Sequence, residues 1–132
     1  LRKPQRADRE YPLRSLLDAG VRVSMASDYP ITPDPNPLLG IQTGATRSNL
    51  AGDPDSQLDP NECATVEQLI RAATINAAYQ LKTERTMGSI EPHKTANFIL
   101  LDRDITTCPP LDIAKARVVK TFVAGKCVYS AT

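Results

Sequence analysis

The 132-residue sequence holds no tryptophan, two phenylalanines and a single histidine, His93. One histidine is too few for a self-contained zinc centre, which takes about three protein ligands. The three cysteines, Cys63, Cys108 and Cys127, stand far apart with no C-x-x-C pair. That spacing excludes a disulfide framework and a zinc knuckle. They read as reduced thiols of a cytoplasmic protein, Cys127 packing as a small hydrophobe, and none has a neighbouring histidine to activate it. An excess of one charge is missing too. Sixteen basic residues face fifteen acidic ones, and a net charge of +1 leaves no electrostatic footprint for nucleic acid or an anionic membrane. Arg2, Lys3, Arg6 and Arg9 gather near the start, but Asp8 and Glu10 interrupt them, and a solvated, flexible terminus is the expectation. No apolar run approaches the ~20 residues of a membrane span, and nothing resembles a targeting signal, so the chain reads as soluble. It opens on Leu1 in what reads as a loop, and a missing upstream portion is one explanation.

Regular pattern begins at Tyr11. Pro12 suits a first helical turn, Leu13, Leu16 and Leu17 share a helical face, and Gly20 stands where a helix stops. Val21–Ala26 is a short, mostly apolar run that reads as a buried strand, extending over about 21–27. Helix, tight turn and buried strand together make an αβ unit of a parallel sheet. Four prolines between Pro30 and Pro37 force a loop at the carboxyl end of that strand, the edge where α/β folds bind ligands. The spacing of Leu38, Ile41, Ala45 and Leu50 predicts a helix over about 38–50, followed by a polar loop of about a dozen residues. Thr65 and Gln68 have the form of a capping box. The helix they open is predicted over about 65–81, with Leu69, Ile70, Ala73, Ala77 and Leu81 on its apolar stripe.

After Met87-Gly88 the helical period ends, and Ala96–Leu101 is a nearly continuous apolar run. Ser89–Glu91 and Ala96–Leu101 read as strands, and Pro109-Pro110 interrupts the run. Val118–Val123 and Lys126–Tyr129 read as a hairpin turning on Ala124-Gly125.

Three passages in this order resemble the amidohydrolase superfamily. Leu16–Val21 running into Ser27-Asp28-Tyr29-Pro30 is similar to the family's eighth and last barrel strand, which ends S-D-x-P. Ala73-Thr74-Ile75-Asn76-Ala77-Ala78-Tyr79 looks like its helix after barrel closure. Gly88–Phe98 with Leu101-Asp102-Arg103-Asp104 resembles its G-S-I-x-x-G-K-x-A-D entry to a small β-sandwich, and Val123–Tyr129 its final hairpin. The branch most resembled is that of N-substituted formamide deformylase-like and exoenzyme-regulatory-type proteins. His93 departs from the usual glycine, Asn97 from the usual aspartate, and Tyr29 from the usual tryptophan or alanine.

The resemblance implies an α/β fold: the last βα portion of a (β/α)8 TIM-like barrel within 1–82, then strands of a β-sandwich subdomain within 83–132. A whole barrel needs ~250 residues, so a C-terminal piece is the expectation. The activity implied is hydrolysis of a non-peptide carbon–nitrogen bond of a small-molecule amide, through water activated by zinc or another divalent metal. Asp28 is then the catalytic carboxylate, and a metal ligand in the complete site. Ser27, Tyr29 and Pro30 would line the substrate pocket. A loop-capping role is the competing account of Asp28. The family's histidine and lysine ligands come from earlier strands, so this chain is expected to retain no metal and to be inactive alone. Asp34, Asp53, Asp55 and Asp59 lack the compact alternation of a calcium loop and read as turn-formers. Ser24 and Ser27 have no histidine near in sequence, which disfavours a serine hydrolase. An unpaired strand at 21–26 would favour association, with the rest of the barrel or as a homo-oligomer. A non-catalytic assembly module is therefore the alternative reading.

Overall fold

The computed structural model describes residues 10–132. The basic cluster from Arg2 to Arg9 lies outside them. Helix α1, Leu13–Asp18, follows Pro12 and stops at Gly20, whose φ of +77° ends it as expected. Helix α2 runs Pro37–Thr46, with the Asn36 side chain accepting from the Leu38 N–H. It ends four residues short of the expected Leu50, because Arg47 turns left-handed at φ +57°. The Thr46 hydroxyl donates to the Gln42 carbonyl and accepts from the Ser48 hydroxyl, giving the chain an alternative to another helical turn.

The polar loop after it is not shapeless. Asn49 Oδ1 accepts from the Gly52 and Asp53 N–H groups, and 3₁₀ turns form at Pro54–Ser56 and Pro60–Glu62. The capping box at Thr65 and Gln68 is present in both directions and opens helix α3, Val66–Ala73. The single helix expected over 65–81 is two. Thr74 adopts φ −124° and ψ −94° and its hydroxyl donates to the Ile70 carbonyl at 2.7 Å, so helix α4, Ile75–Gln80, starts afresh.

Segment 21–27, expected as a strand, is extended but pairs with no strand among the described residues. A strand is defined by its neighbours, and here helices border it instead. The Met25 N–H donates to the Ala72 carbonyl at 3.3 Å, and Asn76 Nδ2 donates to the Val23 carbonyl at 2.9 Å. Arg22 stacks over the Tyr79 ring at 4.0 Å, and the Ser24 hydroxyl donates to Gln80 Oε1. The carbonyls and N–H groups of Arg22 and Ala26, on the opposite edge, have no backbone partner among the described residues.

One antiparallel sheet of order β1-β2-β3 holds Phe98–Leu101, Val118–Val123 and Lys126–Ser130. Phe98 and Phe122 face each other across β1 and β2, their rings stacked at 4.5 Å. The hairpin turn forms at Ala124-Gly125, with positive φ at both, the signature of a type I′ turn. Alanine tolerates this poorly, and two contacts from before β1 hold it. Asn97 Oδ1 accepts from the Ala124 N–H, and the Ala96 carbonyl from the Gly125 N–H. An aspartate in place of Asn97 would accept the same bond. His93 is exposed at φ +70°, which accounts for the family's glycine there. Ser89–Glu91, expected as a strand, pairs with no strand among the described residues and leads into the turn at Pro92-His93, with Lys94 Nζ donating to the Ser89 hydroxyl at 2.6 Å and paired to Glu91 at 3.5 Å. Cys127, expected to pack inside, is exposed, because β3 is an edge strand with every residue open to solvent.

The core is apolar and small. Leu38 and Ile41 of α2, Leu69 of α3 and Ile113 of the Pro110–Lys115 3₁₀ segment close on one another with Ile105. Gly44 lets α2 and α3 approach: a Cβ there would lie 2.6 Å from Leu69 Cδ2.

Asp102 ties β1 to the segment before β2. Its N–H donates to the Arg117 carbonyl, and its carboxylate accepts from the Arg117 N–H, both at 2.9 Å. That backbone donor, with the Arg103 and Arg117 guanidinium groups, holds the Asp102 carboxyl down at about 2. A depressed carboxyl stabilises the fold above its unfolded value, ~3.9, and the benefit disappears as pH falls toward the folded value. Stability is therefore expected to drop between about pH 4 and pH 2. Urea denaturation across that window should show a shallower acid limb in Asp102→Asn than in the wild type.

Candidate active site

Asp28 stands where the extended 21–27 segment ends and the proline-rich loop begins. Its backbone is left-handed at φ +57°, a conformation that costs a non-glycine residue about 1 kcal/mol and that aspartate bears better than most. Hydrogen bonds hold the turn around it. The Tyr29 N–H donates to the Ser27 hydroxyl at 3.3 Å, and the Ile31 N–H to the Asp28 carbonyl at 2.8 Å. The Thr32 hydroxyl donates to the Ser27 carbonyl and closes the loop. The Tyr29–Pro30 peptide is cis.

The Asp28 carboxylate is exposed and makes no hydrogen bond or ion pair with any described residue. Three of the four other loop aspartates behave differently, whereas Asp55 is likewise exposed and makes no hydrogen bond or ion pair with a described residue. Asp34 accepts from the Asn36 N–H, Asp59 from the Asn61 N–H, and Asp53 from the Asn49 amide. Those three are turn-formers, as expected. Asp28 is not used that way, so loop capping does not account for it.

Of the residues expected beside it, Tyr29 is 62% exposed and Pro30 is exposed, at the mouth of the loop. Ser27 is half-buried and lines a cleft of about 540 Å³ with Met25, Thr32, Asp34, Leu39 and Leu50. Asp28 does not line it. The cleft runs between the 21–27 segment and α2, where Met25 lies against Gly40. Sequence reasoning did not single out Thr32 as part of this turn, or Asn76 as a clamp on the extended segment. Asn76 lies in the A-T-I-N-A-A passage, which marked it without saying what it touches.

The residues present do not fit a divalent metal. No three His, Cys, Asp or Glu side chains come together among the described residues, and His93 stands apart in an exposed turn. Burial pushes the Cys63 thiol up, and no cluster of ligands surrounds it among the described residues. No described helix is long and apolar enough to cross a membrane.

The sequence profile of the Amidohydrolase family matches residues 1–129, nearly the whole chain. The chain belongs to this family. An N-substituted formamide deformylase of Arthrobacter pascens is 40% identical over 92% of the chain and 22% of its own length. An imidazolonepropionase of Treponema denticola is 34% identical over 69% of the chain and 19% of its own length. In three dimensions, 95% of this amidohydrolase chain matches 26% of an amidohydrolase from Thermotoga maritima, with a TM-score of 0.65 and 23% identity, a likeness of fold. The chain spans about a fifth of the length of the curated relatives it matches.

Proposed function

We propose that this chain is the C-terminal share of a hydrolase of non-peptide carbon–nitrogen bonds, with Asp28 as the proton acceptor of the reaction. One observation carries the reading: in a member of this family, the carboxylate ending the 21–27 segment is exposed and has no structural partner among the described residues. The likeness to an N-substituted formamide deformylase supports N-substituted amides as the substrate class. As water adds to the amide carbon, Asp28 takes its proton. The tetrahedral adduct then collapses, the C–N bond breaks, and the protonated Asp28 returns that proton to the leaving nitrogen. Tyr29 and Pro30 would contact the substrate at the mouth of the loop, with Ser27 behind them.

In this reading, 21–27 is the eighth strand of a TIM-like barrel, residues up to 82 complete its last βα portion, and 83–132 supply strands of a β-sandwich. The open edge at Arg22 and Ala26 supports association with the rest of the barrel, or with a second copy. Any divalent metal, zinc being the expected one, would take its remaining ligands from outside residues 10–132, with Asp28 as the one ligand this chain supplies in the complete site. A test is release of amine from N-substituted formamides. The complete hydrolase should turn them over and the 132-residue chain alone should not. Turnover by the isolated chain, or none by the complete protein on any amide, would overturn the reading.

A further inference from the structure

We infer that Thr32 is a positioning residue for Asp28, an assignment that rests on the proposed role of Asp28. Asp28 sits in a left-handed conformation inside a short turn, and the turn is closed at its far end by one side chain. The Thr32 hydroxyl donates to the carbonyl of Ser27, the residue immediately before Asp28. Across the turn, the Ile31 N–H donates to the Asp28 carbonyl at 2.8 Å. The peptide groups on both sides of the Asp28 Cα are thereby held from residues 31 and 32, and the direction of its Cα–Cβ bond is set with them. No hydrogen bond to a described residue fixes the carboxylate itself, so the backbone clamp is what orients it.

Packing does not provide a substitute. Ile31 is 81% exposed, and Thr32, Pro33 and Asp34 are exposed as well. The loop therefore depends on its hydrogen bonds to hold one shape. Thr32 also lines the same cleft as Ser27. Without that hydroxyl the Ser27 carbonyl turns to solvent and the Asp28 carboxylate samples other directions. Small errors of aim at a reacting group cost large factors in rate.

The test uses the complete hydrolase and four variants: Thr32→Val, Thr32→Ser, Asp28→Asn and the double variant Thr32→Val with Asp28→Asn. Thr32→Val keeps the shape and removes the donor, whereas Thr32→Ser keeps the donor. Thr32→Val is expected to lower kcat about tenfold with KM within about twofold, and Thr32→Ser to stay within about twofold of wild type in both. In the Asp28→Asn background, Thr32→Val should cause no further loss, since there is no carboxylate left to aim. The assignment is overturned if Thr32→Val has wild-type kcat, if Thr32→Ser fails as badly as Thr32→Val, or if the two losses multiply. A lowered melting temperature with both constants changed would also overturn it, in favour of a structural role. An active Asp28→Asn enzyme would instead remove the proposed function itself, whatever Thr32 does.

Discussion

Replacing Asp28 by asparagine in the complete hydrolase is expected to lower kcat about a thousandfold, with KM changed less than about threefold. Asparagine preserves the size of the side chain and its tolerance for φ +57°, so the turn should keep its form. What it loses is the capacity to take a proton from water and return it to the leaving nitrogen. Among the residues that line or form this turn nothing stands ready to replace it: His93 lies in a separate exposed turn, and Asp34 is committed to the Asn36 N–H. The measurement is steady-state release of amine from an N-substituted formamide, beside a melting curve to show that the fold is kept. A kcat within a few-fold of wild type would remove Asp28 from the chemistry and leave its exposed carboxylate without explanation.

The largest stability effect outside the apolar core is expected at Gln42, which is 1% exposed on α2. Its Nε2 donates to the Leu50 carbonyl at 3.0 Å, and its Oε1 accepts from the Ala114 N–H at 2.9 Å. One amide therefore joins α2, the start of the following loop and the 3₁₀ segment that carries Ile113 into the core. Leucine is of similar size but satisfies neither group, and each orphaned buried group costs about 1–3 kcal/mol. Gln42→Leu should destabilise the chain by about 2–4 kcal/mol, read as a lowered midpoint in urea at unchanged slope. Gln57 is the internal comparison. It too donates to a carbonyl, that of Thr46 at 2.9 Å, but from an exposed position where water can replace it. Gln57→Leu should change stability by no more than about 0.5 kcal/mol. Equal effects at the two glutamines would mean that burial does not set the difference.

Features written in a few adjacent residues are the ones legible in advance. Gly20 ends a helix because it alone bears φ +77° freely, and the capping box works through groups three residues apart. The Ala124-Gly125 turn follows from the two strand-forming runs that flank it with a two-residue gap. Asp28 was marked by its place in the S-D-x-P passage, and the structure sets it at the start of the proline-rich loop with a left-handed backbone. Why an alanine is tolerated at φ +49° in the hairpin was not legible, because the support comes from Asn97, 27 residues earlier. The clamp by Asn76 on Val23 reaches across 53 residues, and the Gln42 bond to Ala114 across 72. No local pattern encodes such pairs.

By itself, then, the sequence determined the family, the helix opened by the capping box at Thr65 and Gln68, and the closing hairpin over 118–129. These depend on side-chain type and short spacing, which survive in a linear string. The tertiary structure alone decided that Thr74 divides the expected helix, that Cys127 lies on an open edge strand, and that helices border the 21–27 segment where strands were expected. It also decided that the 27–32 turn is closed by Thr32. Each of these depends on which distant groups reach a given N–H, carbonyl or apolar surface, and that is a property of packing in space.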